Sequence, residues 1–152
     1  MINYKNIFKV LPLPCLLLEP KDGYFIIKDA NEIYLNVTEK AREELFGMII
    51  PDVFPENPEQ LGSNWKQIHA SLNRVLNSGK PDRIDIIRYD LLIPGLNEFE
   101  QRYWQIENIP IVDEITGFVK YILYIARDKT SEFLSQSTPP ELLEESEKAK
   151  HK

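Results

Sequence analysis

Apolar and polar residues alternate along this chain in short blocks whose period changes as the chain proceeds. "CLLLE" at 15–19 is a compact apolar run, Asp22-Gly23 is a dipeptide that favours tight reversal, and "YFIIKDAN" at 24–31 returns. Residues 15–31 therefore read as a β-hairpin. Asn31 is placed to cap a short helix over "EIYLNV", and a second short turn with Thr38, Ala41, Leu45 and Phe46 ends at Gly47. Pro51, Pro55 and Pro58 divide the next stretch of chain into turns. The period then becomes helical. Trp65, Ile68, Leu72, Val75 and Leu76 form one stripe between Asn64, a candidate N-cap, and Gly79, with Pro81 behind it. Such a stripe predicts a helix lying along a sheet.

Three strand-like runs close the pattern: "DRIDIIRYDLLI", "EFEQRYWQIENIPI" and "GFVKYILYIARDKT". "PGLN" and "VDEITG" separate them with turn chemistry, which predicts an antiparallel meander. The last run is the most apolar. Val119, Tyr121, Leu123 and Ile125 alternate with Phe118, Ile122, Tyr124 and Ala126, the pattern of a strand buried on both faces and therefore central. Strands begin and end the chain with helices only between them, so the helices must cover one face of a five-stranded antiparallel sheet, an α+β architecture. Ahead of it, residues 2–10 form a short amphipathic turn or helix with Ile2, Ile7, Phe8 and Val10, stopped by Pro12 and Pro14. The expected divisions are an N-terminal cap segment at 1–12, a folded domain at 13–130, and a C-terminal linker or helix at 131–152. In that tail Thr138, Pro139 and Glu141 read as a capping box, and Glu144 with Lys148 as an i, i+4 pair.

Composition narrows the function. A chain of 152 residues with 43% hydrophobic content is sized for one core. Its formal charge of -6 argues against a nucleic-acid partner, which requires a basic stripe. Cys15 is the only cysteine, so no intrachain disulfide is available and a reducing, cytoplasmic setting is expected. No Cys/His spacing suits a metal. Lys9, Pro12, Pro14 and Glu19 break the apolar N-terminal stretch well short of the ~20 residues that span a bilayer. No Gly-rich phosphate loop, Gly-x-Ser-x-Gly string or carboxylate partnered by histidine occurs, and His151 has no acidic neighbour, so no catalytic residues are expected and the chain is not read as an enzyme.

In this order, "LPLPCLLLEPKDGYFIIKDANEIYL", "SLNRVLNSGKPD", "RYDLLIPG", "FEQRYWQIENIPIVDEITG" and Asp128-Lys129-Thr130 resemble a PAS domain. The likeness covers about residues 5–131 and is to the cytosolic type at the front of bacterial two-component sensor histidine kinases. In such domains an Asp-x-Thr ties the last strand to the helix that leaves it. Asp128 and Thr130 match, and Lys129 stands where Ile or Val is usual. The resemblance implies a non-enzymatic sensory and dimerisation module that binds a small ligand or partner and relays the change through Asp128 and Thr130 to an output kinase domain in the same parent chain. Ile7 and Phe8 are the expected homodimer contacts, since an isolated apolar helix stripe needs a mate.

Candidate pocket residues are Tyr34, Trp65, His69, Arg88, Tyr103 and Trp104. An arginine beside Tyr or Trp can clamp a carboxylate or stack on a planar ligand, and the same residues can equally be cross-strand pairs on the outer face. Alternation puts Arg102, Trp104 and Ile106 on one face and Phe99 with Tyr103 on the other, without saying which faces the helices. Some oxygen-sensing PAS domains hold haem through a histidine on the long helix with an arginine on the next strand, an arrangement that His69 and Arg88 resemble. The competing reading, a hydrogen-bonded histidine on a helix flank, is preferred. Flavin-binding relatives carry their reactive cysteine in a Gly-x-Asn-Cys-Arg-Phe string, which is absent, so Cys15 reads as a buried, inert thiol. A ligand-free interaction scaffold is the alternative function.

Overall fold

The computed structural model describes residues 2–60 and 64–137. In chain order the elements are α1 (Tyr4–Lys9), β1 (Cys15–Lys21), β2 (Tyr24–Ala30), α2 (Glu32–Thr38), α3 (Arg42–Leu45), α4 (Ile50–Val53) and α5 (Asn64–Ser78). They continue as β3 (Asp82–Arg88), β4 (Leu91–Leu92), β5 (Phe99–Glu100), β6 (Tyr103–Val112), β7 (Val119–Asp128) and α6 (Thr130–Ser137). The main sheet has five strands in the order β2-β1-β7-β6-β3, and every pairing in it is antiparallel. The expected α+β architecture, with helices roofing one face of a five-stranded antiparallel sheet, is therefore the observed one.

Local chemistry explains the elements. Asp22 and Gly23 both take positive φ, 52° and 84°, which makes the two-residue reversal that twists with the strands, and Lys21 pairs Tyr24 across it. Pro20 stays in β1 because β7 pairs that strand only as far as Leu18, so the missing N–H has no ladder partner to lose. The chain then crosses from β2 at one edge to β3 at the other, and this crossing carries α2 to α5 over one face. Helix α5 presses Ile68, Leu72 and Val75 onto the sheet, with Trp65 and Leu76 partly buried beside them. Opposite them lie Leu16, Leu18, Ile27, Ile106 and Ile122. Each such side chain contributes about 1.5–3 kcal/mol by leaving water. Gly79, at φ 67°, donates its N–H to Val75 O at 2.9 Å and closes the helix. On the β2 edge, Gly47 and Met48 exchange backbone hydrogen bonds with Ile27, which shields that edge from further pairing.

Strand β7 is central, as its apolar pattern predicts, but the burial is uneven. Ile122, Tyr124 and Ala126 face the helices in the core, whereas Tyr121 and Leu123 on the other side are half-buried; Val119, beyond a register irregularity, is half-buried against the core. Phe118 lies outside the strand and is 77% exposed at the hairpin, so the expected two-faced burial is corrected to the middle of the strand only. The runs predicted as single strands at 82–93 and 98–111 each break. Tyr89-Asp90 separates β3 from β4, Gln101-Arg102 separates β5 from β6, and β4 and β5 pair as a separate small hairpin. The two breaks meet at the Asp90 carboxylate, which accepts the Arg102 N–H. The capping box at Thr138 and the Glu144–Lys148 pair lie outside the described residues.

Candidate functional site

Between the short helices and the β3–β7 half of the sheet is a cavity lined by Tyr34 and Thr38 of α2, Phe54 after α4, Tyr89 after β3, Trp104 of β6 and Tyr124 of β7. Its free volume is about 30 Å³, against ~10–15 Å³ on the same scale for one water molecule. Three phenols therefore meet in a space that admits little more than a water or two. Tyr89 donates its hydroxyl hydrogen to Phe54 O, and Trp104 Nε1 donates to Tyr89 O at 2.8 Å. The Tyr34 and Tyr124 hydroxyls have no hydrogen-bond partner among the described residues, although both rings are buried. Burial, reinforced by the neighbouring phenols, pushes the pKa of Tyr34 and Tyr124 far above the ordinary tyrosine range, so both stay neutral donors.

One wall of this cavity is tied to the end of the sheet by Asp90, whose side chain is 1% exposed. Asp90 Oδ1 accepts from Arg88 Nε at 3.0 Å and from the Arg102 backbone N–H at 3.2 Å. Oδ2 accepts from Arg88 Nη2 at 3.1 Å and from Asn57 Nδ2 at 3.0 Å. Burial disfavours the charged form, but the hydrogen bonds from Arg88, Asn57 and the Arg102 amide outweigh it, and the carboxyl titrates below its ordinary range. Of the backbone groups at the two breaks, the carboxylate takes the Arg102 N–H and Trp104 Nε1 bonds Tyr89 O, while Tyr89 N–H donates to Arg102 O at 2.9 Å. Tyr89 and Leu91, the neighbours of Asp90 in sequence, both line the cavity.

Arg102 continues the path. Its guanidinium donates to Asp128 Oδ2 at 2.6 Å and to Glu100 Oε1 at 2.7 Å. Asp128 Oδ1 accepts the Thr130 N–H at 2.9 Å, the cap that starts α6, and Thr130 Oγ1 accepts the Tyr103 N–H at 2.9 Å. The Tyr103 ring stacks on Phe133 of α6 with centroids 4.1 Å apart, and Arg88 lies 5.9 Å over the same ring. Asp128 is held below the ordinary carboxylate range because hydrogen bonds from Thr130 and the charge of Arg102 outweigh its partial burial. Lys129 does not interrupt these bonds: it supplies its backbone N–H to Tyr103 O at 2.8 Å.

Of the residues nominated from sequence, the structure brings Tyr34 and Trp104 to the cavity. It places Arg88 and Tyr103 at the exit junction, and Trp65 with His69 at a separate shallow recess against the β1–β2 turn. The sequence reading missed Asp90 and Asn57. The available signal for Asp90 was a lone carboxylate interrupting the apolar run "IIRYDLLI".

No protein-family profile matches the sequence, and no curated protein does. Solved structures do match. The PAS domain of a protein from Colwellia psychrerythraea superposes with a TM-score of 0.61 at 16% identity, over 84% of this chain and 95% of that one. The Rhodobacter sphaeroides LOV protein gives 0.62 at 14% identity, over 84% and 68%. An RNA-binding light-oxygen-voltage receptor gives 0.64 at 12% identity, over 86% of this chain and 33% of that one. This chain has the PAS fold.

Within that PAS fold, the haem arrangement does not fit the residues present. His69 is half-buried, with Nε2 3.5 Å from Gly23 O and Nδ1 3.3 Å from Asn73 Nδ2, and its ring packs against Phe25 and Trp65 rather than lining the cavity. Arg88 is committed to Asp90. Cys15 sits on β1 next in sequence to the core residue Leu16, so alternation turns it to the other face of the sheet, and its Sγ donates to Leu13 O at 3.2 Å. Burial pushes its thiol up to about 11, which makes it a poor nucleophile. Asn31 does more than cap α2. Its Oδ1 accepts from both Tyr34 N and Cys15 N at 3.0 Å while Nδ2 donates to Leu11 O and Leu13 O, fastening the N-terminal segment to the hairpin. Among the described residues no group of His, Cys, Asp and Glu is placed to hold a metal, and no helix is long and apolar enough to cross a membrane.

Proposed function

We propose that this PAS module is a sensory input domain whose signal enters at the tyrosine-lined cavity and leaves through α6. The observation that carries this reading is the unbroken bonded path from the cavity wall to the exit helix: Tyr89 and Leu91, Asp90, Arg102, Asp128, Thr130. A ligand that enlarges the cavity by moving Tyr89 or Leu91 strains the buried carboxylate between them, whose four donors favour an exchange of partners over a simple shift. Two packings separated by a few kcal/mol would then present α6 differently, and the ligand's differential affinity sets the shift between them. In this reading the parent chain is a cytoplasmic sensor histidine kinase, the chain by itself catalyses nothing, and two copies associate through α1. Ile7 on α1 is 48% exposed, Phe8 is partly buried, and no residue of that helix is fully buried.

Native mass spectrometry of the protein purified from its host tests the sensing role. A retained small molecule released on denaturation is the expected result. A clean apo protein whose melting is unchanged by any member of a library of small neutral aromatics overturns it. Sedimentation tests the dimer: Ile7→Glu should raise its dissociation constant at least about tenfold, and an unchanged association would remove α1 from the interface.

A second reading, a ligand-free interaction scaffold, is favoured by the cavity's small volume of about 30 Å³. It expects the apo result together with an unaltered α6 in every cavity variant.

A further inference from the structure

Among the polar side chains on the wall of the tyrosine cavity, all but two spend their hydrogen on the protein. Thr38 Oγ1 donates to Tyr34 O at 2.8 Å, Trp104 Nε1 to Tyr89 O at 2.8 Å, and the Tyr89 hydroxyl to Phe54 O. The hydroxyls of Tyr34 and Tyr124 have no acceptor among the described residues. Neither is sealed in. Among the described residues, Asn108 Oδ1 is the one buried side-chain oxygen or nitrogen that is both closed off and unpaired. It is not part of the cavity lining, and its amide is turned by Ser71, which donates to Asp82 Oδ2 at 2.6 Å and accepts from Asn108 Nδ2 at 2.9 Å. The Tyr34 and Tyr124 oxygens, unpaired but not closed off, therefore touch free space, and the space that both residues line is this cavity.

Two unspent hydroxyl hydrogens thus meet a cavity whose remaining wall includes Ile50, Leu91, Ile106 and Ala126. A buried hydroxyl without an acceptor is disfavoured, so the cavity calls for one. A carbonyl oxygen has two lone pairs and no hydrogen, and it can take a bond from each phenol without needing one in return. A ligand that donates instead would bring a further hydrogen to a wall already short of acceptors. An anion would lose its water with no cation among the lining side chains, and a cation would meet hydroxyl hydrogens and no carboxylate. We propose that Tyr34 and Tyr124 are the specificity-determining pair of this cavity, donating their hydroxyl hydrogens to the oxygen of a small neutral carbonyl compound, a ketone or an aldehyde. This rests on the sensing reading above and adds the ligand's chemical class to it. The free volume of about 30 Å³ limits the ligand to a few heavy atoms, seated as the wall yields.

Acetone and isobutene have nearly the same shape and differ by a carbonyl oxygen in place of a methylene, so they isolate the proposed bonds. Their dissociation constants are measured on the whole chain by NMR titration. Tyr34→Phe and Tyr124→Phe each remove one donor, and each should weaken acetone by about fivefold while leaving isobutene within about twofold. The wild type supplies a second readout that needs no variant to fold. The carbonyl carbon of isotope-labelled acetone resonates upfield in apolar surroundings and downfield when its oxygen accepts hydrogen bonds, so the bound signal should lie at or downfield of its position in water. An upfield bound signal overturns the proposal while leaving the cavity a ligand site. So does an undiminished acetone affinity in either variant, or a loss that isobutene matches. Binding of neither probe removes the cavity as a ligand site and this inference with it.

Discussion

Thr130 grips Tyr103 with one hydroxyl: Oγ1 accepts the Tyr103 N–H at 2.9 Å and lies 3.5 Å from Tyr103 O, to which it donates. The first residue of the exit helix is thereby tied to the first residue of β6, a strand away from where the chain leaves the sheet. Thr130→Val keeps the shape and removes the bond. It should lower stability by about 1 kcal/mol, the low end of the range for an amide left unpaired, because this one is only partly buried. The more telling readout is faster hydrogen exchange at the Phe133 amide, which donates to Lys129 O at 2.8 Å. Unchanged exchange there would mean that α6 is held by Tyr103–Phe133 stacking instead.

Asp90→Asn tests the junction between cavity and exit. The substitution keeps the volume, but one end of the amide is a donor facing donors from Arg88, Asn57 or Arg102, so bonds break on at least one side. The expected loss is roughly 1.5–3 kcal/mol, typical of a hydrogen-bonded charge, measured by urea unfolding. Asn57→Ala, which removes one donor and leaves three, should destabilise less. Equal effects from both would show that the carboxylate is not the hub.

The cavity tyrosines should divide by their hydroxyl bonds. Tyr89→Phe strands the buried Phe54 carbonyl and should cost about 1–3 kcal/mol. Tyr34→Phe and Tyr124→Phe remove hydroxyls that have no partner among the described residues, so both should leave the melting temperature of the apo protein unchanged or slightly raised. Three similar losses would show that all three phenols are bonded in solution.

Acid sensitivity follows from Asp82, Asp90 and Asp128, all held below their ordinary range in the folded protein. A depressed carboxyl stabilises the fold fully above its unfolded value, near ~3.9, and that contribution is lost as the pH falls through the lower folded value. For these groups stability should be flat from about pH 7 to 5 and decline below about pH 4. Asp90→Asn should show a shallower decline, because one of the protons taken up on acid unfolding is no longer available. An identical slope in wild type and variant would show that Asp90 titrates alike in both states.

Much of the fold is legible along the chain because its signals are local. The Asp22-Gly23 reversal, the α5 stripe from Trp65 to Leu76 and the alternation in β7 each report a neighbour a few residues away. The breaks at Tyr89-Asp90 and Gln101-Arg102 were hidden for the opposite reason. Strand propensity continues through both, whereas Asn57, Arg88 and Arg102, which meet there around one carboxylate, are brought together from distant parts of the chain. Tyr34 and Trp104 were nominated for a pocket that they do share, whereas Trp65 and His69 lie on the other side of the roof, at the β1–β2 turn. Aromatic character marks a residue as one that buries well. It does not say in which void.

By itself the sequence determined the α+β class, the hairpin, the long helix and the polar anchors Asp128 and Thr130, because period, turn residues and caps act over a few residues of chain. Tertiary structure decided which phenols share a cavity, which way the Asn108 amide points and how Asp90 joins the cavity wall to the exit helix. Those depend on strand register and on donors far apart in the chain, where a hydrogen bond's direction is set by partners that no local pattern specifies.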